Sequence, residues 1–368
     1  MKLICDGFEL SEAVNKVMKA TAIRSTNPIL EGIKLKAEDD ELVLSATDLE
    51  LSIEKRIKAD VKIEGETVVA GRFFSELIKK LNNEKIEITK NEDENTIRIK
   101  YTDSEGLIQT MPVSEFPEIK KIESPEYITI KENDLKQLIN MTIFSAAYDD
   151  SRPILKGILV EVDNNKINAV ALDGYRMALC SKPVIKTTAN LSFVVPARCL
   201  SEVAKIIGDS ENPVNVLVQK NYILIEIDET KIITRLLDGD YINYKQVIPV
   251  NTNTVVTISK KYLEETVERT SLLARLNKNN LVTFDISETL MCVSSTSDMG
   301  NIKEKIAVNT KGKEMVVAFN ARYFSECLKN INDEYININF TSPIAPCTIT
   351  ATENSEYLYL ILPVRIVN

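Results

Sequence analysis

The chain has 368 residues and a formal net charge of −9, which argues against a generally basic nucleic-acid binder, although a local basic stripe can sit inside an acidic total. Apolar residues at 44% and charged residues at 27% suit two or three globular domains and argue against a disordered or fibrous chain. No histidine is present, which excludes catalytic triads and zinc sites that depend on it.

Residues 1–10 carry Asp6 and Glu9 where a secretory signal would need an apolar run. No stretch reaches the length of a membrane span, and Cys5, Cys180, Cys199, Cys292, Cys327 and Cys347 form no C-x-x-C pair. The cysteines read as small buried hydrophobes, and a cytoplasmic location is expected. Leu10, Ala13, Val14, Val17 and Met18 then keep the spacing of an amphipathic helix. Pro28-Ile29-Leu30-Glu31-Gly32 follows, and the composition of 41–52 predicts a strand. Arg72, Ser75, Glu76 and Lys79 spell R-x-x-S-E-x-x-K on a second helix. Strands are predicted over 86–89, 96–101 and 107–112, with turn punctuation at 91–94.

The same order then returns. Leu135, Leu138, Ile139 and Ile143 predict a helix capped by Asn133, and Pro153-Ile154-Leu155-Lys156-Gly157 repeats the earlier pentad 125 residues on. A strand is predicted over 166–178, and Arg198, Ser201, Glu202 and Lys205 repeat the basic motif. A third helix is marked by Leu263, Val267 and Thr270, and a third motif by Arg322, Ser325, Glu326 and Lys329. Asp48, Asp173 and Asp298 are likewise 125 residues apart. Three tandem α+β domains fill the chain, each with two helices and roughly eight strands. They are expected over 1–121, 122–249 and 250–368, with polar linkers near 118–124 and 249–254.

With Arg72 at 0° and about 100° per residue, Glu76 falls near 40° and Lys79 near −20°. Phe74, Leu77, Ile78 and Leu81 fall opposite, and Leu200, Val203, Ala204 and Ile207 or Phe324, Cys327, Leu328 and Ile331 repeat the pattern. A solvated face with weak i, i+3 and i, i+4 ion pairs accounts for one such helix. Three copies suggest a basic lining that holds a phosphate backbone without reading sequence, with acidic residues gathered in hairpins at 38–41, 92–94, 103–105 and 228–229. The glycines form neither G-x-G-x-x-G nor G-x-x-x-x-G-K-[ST]. Asp149 with Asp150, and Asp238 with Asp240, are explained by turn chemistry rather than a metal site. No nucleophile has a plausible base, and neither catalytic residue, metal nor cofactor is expected.

Several stretches carry a family likeness: Arg24 with Pro28-Ile29-Leu30, Ala46-Thr47-Asp48-Leu49-Glu50, Arg152 with Gly157, and Leu172-Asp173-Gly174-Tyr175-Arg176-Met177. Leu237-Asp238-Gly239-Asp240-Tyr241 through Tyr244, Val247, Ile248 and Pro249 adds to it, and Leu360-Ile361-Leu362-Pro363-Val364-Arg365-Ile366 completes it. In order and spacing, over residues 1 to 368, the chain resembles the beta subunit of bacterial DNA polymerase III, the replication sliding-clamp family. The resemblance implies a head-to-tail homodimer whose six domains close a ring around duplex DNA, helices inside and antiparallel sheets outside. It implies a non-catalytic processivity factor that tethers the replicative polymerase and serves the clamp-loader ATPase and repair and ligation proteins.

Expected DNA contacts are Arg24, Arg72, Lys79, Arg198, Lys205, Arg322 and Lys329, with Tyr148 and Arg152 placed to touch single-stranded template. A peptide-binding cleft is implied at Leu155, Leu172, Gly174, Tyr175, Arg176, Met177, Ile242, Val247, Pro346, Leu360, Leu362, Pro363, Val364 and Arg365, with an arginine on its rim. Family members often carry His at position 175 and Pro at 242, so the peptide preference is expected to differ. Leu107 and Ile108 of one subunit are expected to meet Leu272 and Leu273, placed just after a helix, of the other. Alternatives are a clamp paralogue with a specialised partner set or inhibitor resistance, an enzyme with an unfamiliar site, and a monomeric peptide scaffold. Neither of the last two needs the triplicated stripe.

Overall fold

The computed structural model describes residues 1–91, 94–163, 165–276, 280–353 and 356–365. Ile366 of the closing motif, and Glu92 and Asp93 of the 91–94 turn, lie outside the described residues. The first repeat runs β1 (Lys2–Asp6), α1 (Gly7–Val17), β2 (Gly32–Glu38), β3 (Glu41–Thr47), β4 (Leu51–Lys58), β5 (Asp60–Ile63), β6 (Gly65–Ala70), α2 (Gly71–Ile78), β7 (Lys85–Lys90), β8 (Thr96–Tyr101) and β9 (Ser104–Met111). The second follows as β10 (Tyr127–Lys131), α3 (Glu132–Ile143), β11 (Gly157–Asp163), β12 (Lys166–Leu172), β13 (Arg176–Pro183), β14 (Lys186–Thr187), β15 (Leu191–Pro196), α4 (Ala197–Ala204), β16 (Pro213–Gln219), β17 (Tyr222–Ile227) and β18 (Thr230–Arg235). The third is β19 (Thr254–Ser259), α5 (Lys260–Ala274), β20 (Leu281–Ile286), β21 (Leu290–Ser297), β22 (Gly300–Ala307), β23 (Asn309–Lys311), β24 (Met315–Asn320), α6 (Ala321–Leu328), β25 (Tyr335–Phe340), β26 (Cys347–Ala351) and β27 (Tyr357–Ile361). Among the described residues each repeat thus has two helices and nine strands, one more than expected.

The two strands predicted over 41–52 and 166–178 are each a hairpin, broken at the repeated aspartate. Glu50 N–H and Leu51 N–H donate to Asp48 Oδ1 at 3.0 and 2.8 Å. Tyr175 N–H and Arg176 N–H donate to Asp173 Oδ1 at 2.9 and 3.1 Å. These aspartates replace ladder partners with their own side chains, so the chain reverses. The reversal needs left-handed backbone, supplied by Gly174 at φ +91° and, at greater steric cost, by Leu49 at φ +77°. Asn133 does not cap its helix, because α3 begins a residue earlier at Glu132. The buried Glu132 carboxylate instead accepts from Gly208 N–H at 2.6 Å and from the Ser210 hydroxyl.

The chain divides into two compact units. Unit one holds Met1–Asn133, Ile185–Ala189 and Arg198–Leu236. Its antiparallel sheet runs β14-β10-β16-β17-β18-β4-β3-β2-β6-β9-β8-β7-β1-β5. β18 of the second repeat pairs with β4 of the first, Ile232 opposite Ile53. Leu10, Ala13, Val14 and Val17 of α1 are buried, as their spacing predicted, whereas Met18 stands just past the helix and is half-buried; α1 packs on β3, β4 and α2.

Unit two holds Asp134–Val184, Asn190–Ala197 and Leu237–Asn368. It contains a nine-stranded sheet, β15-β11-β12-β13-β27-β26-β25-β19-β23, and a four-stranded sheet, β22-β21-β20-β24. Here β27 of the third repeat pairs with β13 of the second, Met177 opposite Leu360. α5 packs on α6 and on β20, β21 and β22, over a core that includes Phe284, Phe319 and Phe324. Phe324 meets the other two rings edge-on at 4.9 Å. The division therefore passes through the second repeat, because the fourteen-stranded and nine-stranded sheets each continue across a repeat junction instead of ending at it. All six cysteines are free and buried. Among the described residues, no helix is long and apolar enough to cross a membrane.

Phe324→Ala removes a fully buried ring held by two edge-on partners, and an isolated cavity cannot close around it. The expected loss is about 3–5 kcal/mol, read as a lower urea midpoint at unchanged m-value. A loss under about 1 kcal/mol would mean that this core repacks freely.

Candidate functional site

The three repeated helices carry the sequence-predicted face in each repeat. Phe74, Ile78, Leu200, Val203, Phe324, Cys327 and Leu328 are buried, and Arg72, Arg198 and Arg322 are exposed. Leu77 and Ala204 are only half-buried. Each helix runs just eight residues, so Lys79, Lys205 and Lys329 stand one residue past its end. Lys79 and Lys329 still keep helical backbone, which preserves the stripe.

Every stripe arginine already holds a carboxylate. Arg72 Nε lies 3.5 Å from Glu76 Oε1, a loose pair with 91% of the arginine side chain exposed. Arg322 Nε bonds Glu326 Oε1 at 2.6 Å. Arg198 bypasses Glu202 and reaches into the first repeat, where it bonds Asp48 and lies 3.5 Å from Glu50. Burial lowers the Arg198 guanidinium, but the charge and hydrogen bond of Asp48, joined by the Glu50 charge, together outweigh it and raise the group. Lys205 bonds Glu202 at 2.7 Å, and Lys329 lies 3.8 Å from Glu268. Any phosphate bound at most of these positions would have to compete with an internal anion.

Within unit one, Arg72 and Arg198 line the same open cavity of about 510 Å³, together with Lys19, Ile23, Glu31 and Glu202. Lys19 escaped the sequence reading because it lies in the short turn after α1, outside the repeated motif. Arg24 and Arg152 are exposed, and Tyr148 stands 77% exposed in the loop after α3.

In unit two, Leu155, Leu172, Met177 and Leu360 are buried in one apolar cluster, with Ile242 packed against it. Tyr244, Leu159 and Val194 belong to the same cluster and were not anticipated. Gly174 and Tyr175 form the exposed turn above it, and Leu362 N–H donates to Tyr175 O at 2.9 Å. Val364 N–H donates to Ala318 O at 2.8 Å, which ties the segment after β27 to β24. Val247 and Arg365 are exposed, and Pro346, Leu362, Pro363 and Val364 are half-buried.

Arg176 departs from a rim position. It is 4% exposed, its Nε donates to Asp173 Oδ2 at 3.0 Å, and Nη1 bonds Glu326. Its guanidinium also lies 4.8 Å over the Tyr323 ring, which stacks on Tyr175 at 6.3 Å. Arg365 is the arginine left at the surface. Burial would raise the Glu326 carboxyl, but hydrogen bonds from Arg322 and Arg176 outweigh it and hold the group below its ordinary value.

Leu107 is 62% exposed on β9, whereas Ile108 is buried. Leu272 is 61% exposed and Leu273 half-buried, but both lie inside α5 rather than after it. Leu276, also exposed, extends this apolar patch. Asp149 accepts from Ser151 N–H at 2.9 Å and Asp150 pairs with Lys156 at 2.6 Å, so both carboxylates serve their turn. Among the described residues, no three Cys, Asp or Glu side chains gather as a metal site.

Three family models match the chain in order. Those described as the N-terminal, central and C-terminal domains of the DNA polymerase III beta subunit cover residues 1–120, 129–243 and 245–365. A protein of Bacillus subtilis named "Beta sliding clamp" is 32% identical, over 99% of this chain and 100% of its own length. Among solved structures, a DNA polymerase sliding clamp from Bacillus subtilis superposes with a TM-score of 0.96 at 30% identity. A putative DNA polymerase III beta subunit from Eubacterium rectale does so at 0.95 and 31%. Both superpositions cover 100% of each chain.

The depressed Glu326 carboxyl makes an acid-sensitive contribution to stability. It is complete above the ordinary value of 4.5 and is lost as pH falls below that toward the folded-state value. Wild type is therefore expected to melt above Glu326→Gln near neutrality, with the gap in Tm narrowing as pH falls toward 3. A gap independent of pH would contradict this assignment.

Proposed function

This chain belongs to the DNA polymerase III beta-subunit family, and on that premise we propose that it closes a ring around duplex DNA as a head-to-tail homodimer. The supporting observation is the repeated junction. Within the chain, the ninth strand of each later repeat pairs with the fourth strand of the repeat before it. One ninth strand and one fourth strand are left over. β9 pairs with β8 on one side and touches β6 only through Val68 and Val69, so the other side of 104–109 is open among the described residues. β22 is an edge strand. Joining β9 of one copy to β22 of another repeats the same contact and leaves neither edge exposed. Leu107 of one copy then meets Leu272, Leu273 and Leu276 of the other, and Ile108 contributes backbone rather than side chain.

Such a ring has three domains per chain, over 1–121, 122–249 and 250–368, and stays on DNA by topology. Its contacts can then be weak enough to slide, which the carboxylate-paired arginines favour. Arg24, Arg72, Lys79, Arg198, Lys205, Arg322 and Lys329, joined by Lys19, touch the phosphate backbone. Tyr148 and Arg152 reach single-stranded template, with Tyr148 stacking on a base. The apolar cluster at Leu155, Leu172, Met177 and Leu360, opened by Gly174 and Tyr175 and flanked by Ile242, Val247, Pro346, Leu362, Pro363, Val364 and Arg365, receives a short peptide from the polymerase, the clamp loader or a repair protein. The protein acts in the cytoplasm, without cofactor or catalysis.

Loaded by a clamp loader onto nicked circular DNA, the protein is expected to stay bound and to leave rapidly once the circle is cut. Equal retention on circle and linear forms would mean ordinary binding and would contradict the ring. Arg72, Arg198 and Arg322 changed together to Gln should impair loading and sliding with the fold intact. Neutralisation is preferred to reversal because a glutamate at 198 would face Asp48.

Truncating Met177 and Leu362 to Ala should abolish polymerase-peptide binding, seen as loss of fluorescence anisotropy, with the dimer preserved in sedimentation. Unchanged affinity would place the partner site elsewhere.

A further inference from the structure

We infer that Glu326 is a positioning residue that couples the peptide cleft to the phosphate-facing stripe, so that DNA and peptide bind cooperatively. This rests on the two sites proposed above.

One carboxylate is shared by two arginines with different surroundings. Glu326 Oε1 holds Arg322, exposed on the stripe, at 2.6 Å, and Oε2 holds Arg176, buried under the cleft turn. Arg176 in turn holds Asp173, whose other oxygen accepts from Tyr175 N–H and Arg176 N–H. The geometry of that turn, and of Tyr175 at the mouth of the cleft, therefore depends on Arg176 staying in place.

A phosphate at Arg322 offers the guanidinium a second anion. As Arg322 turns toward it, Glu326 is released from the exposed arginine and its charge falls on Arg176 alone. The buried pair tightens, the Asp173 turn is held more firmly, and a peptide finds the cleft already ordered. Linkage requires the reciprocal effect, so bound peptide must strengthen DNA binding by the same factor. No new contact between the two ligands is needed.

The test measures binding of a fluorescein-labelled peptide, taken from the clamp-binding segment of a replicative polymerase, to the full-length chain with and without a saturating 30-base-pair duplex at low salt. Wild type should bind the peptide about fivefold more tightly with DNA present, a modest coupling by the usual range. Glu326→Gln should lose that enhancement, and Glu326→Asp, which keeps a carboxylate, should retain part of it. Arg322→Gln, which frees Glu326 permanently, should bind peptide like DNA-bound wild type and gain nothing from the duplex. Peptide affinity indifferent to DNA in wild type, or an enhancement that survives in Glu326→Gln, would overturn the coupling and leave the cleft assignment standing. Absence of peptide binding by wild type would overturn both.

Discussion

The pairing of one repeat's ninth strand with the preceding repeat's fourth strand organises everything else in this chain. β18 lies on β4 and β27 lies on β13, each through a ladder of five residue pairs. Backbone groups that would otherwise form an exposed edge are satisfied across the junction, and the apolar faces continue with them. This is why the compact units do not coincide with the repeats. It also builds the apolar cluster proposed as the peptide cleft, since Met177 and Leu360 face each other across such a junction. A contact used twice within one chain, with one copy of each half left over, points to continuation by a second chain.

The same junctions bring the aspartate turns to the next repeat's stripe helix. Asp48 bonds Arg198 directly, and Asp173 reaches Glu326 and Arg322 through Arg176. Stripe arginines are thus partly neutralised before any nucleic acid arrives. In the proposed ring, such paired cations would give up affinity per contact, a loss that retention by shape would offset.

Much of this was legible in the sequence because helix periodicity and exact repetition are local signals. The buried faces opposite Arg72, Arg198 and Arg322 needed only a phase angle of about 100° per residue. What escaped depended on partners far along the chain. Both aspartate turns were missed: the left-handed position of the β3–β4 turn holds Leu49, an apolar residue that gives no turn signal, and Gly174 at the matching place in the second repeat sits inside a run of strand composition. Which of Arg176 and Arg365 stands on the rim was not legible, because the burial of Arg176 depends on Glu326, 150 positions away, whose charge permits it. Asn133 lost the capping role because the helix begins at Glu132, which puts Asn133 inside its first turn. Leu276 and Lys19 lay just outside the repeated motifs.

The buried cysteines have a practical consequence. Burial pushes the Cys5 and Cys180 thiols up to about 12 and the Cys199 thiol up to about 11, and Cys327 and Cys347 rise as well. Thiolate is scarce at neutral pH in such sites, and an alkylating dye has no path to the sulfur. Those five thiols are therefore expected to react slowly with maleimide, and Cys292 is shielded by its burial. A single cysteine placed at an exposed position outside the proposed contacts, such as Ile185 or Tyr335, would carry a fluorophore without any background substitution, so the proposed movement on DNA could be followed on an otherwise unaltered molecule.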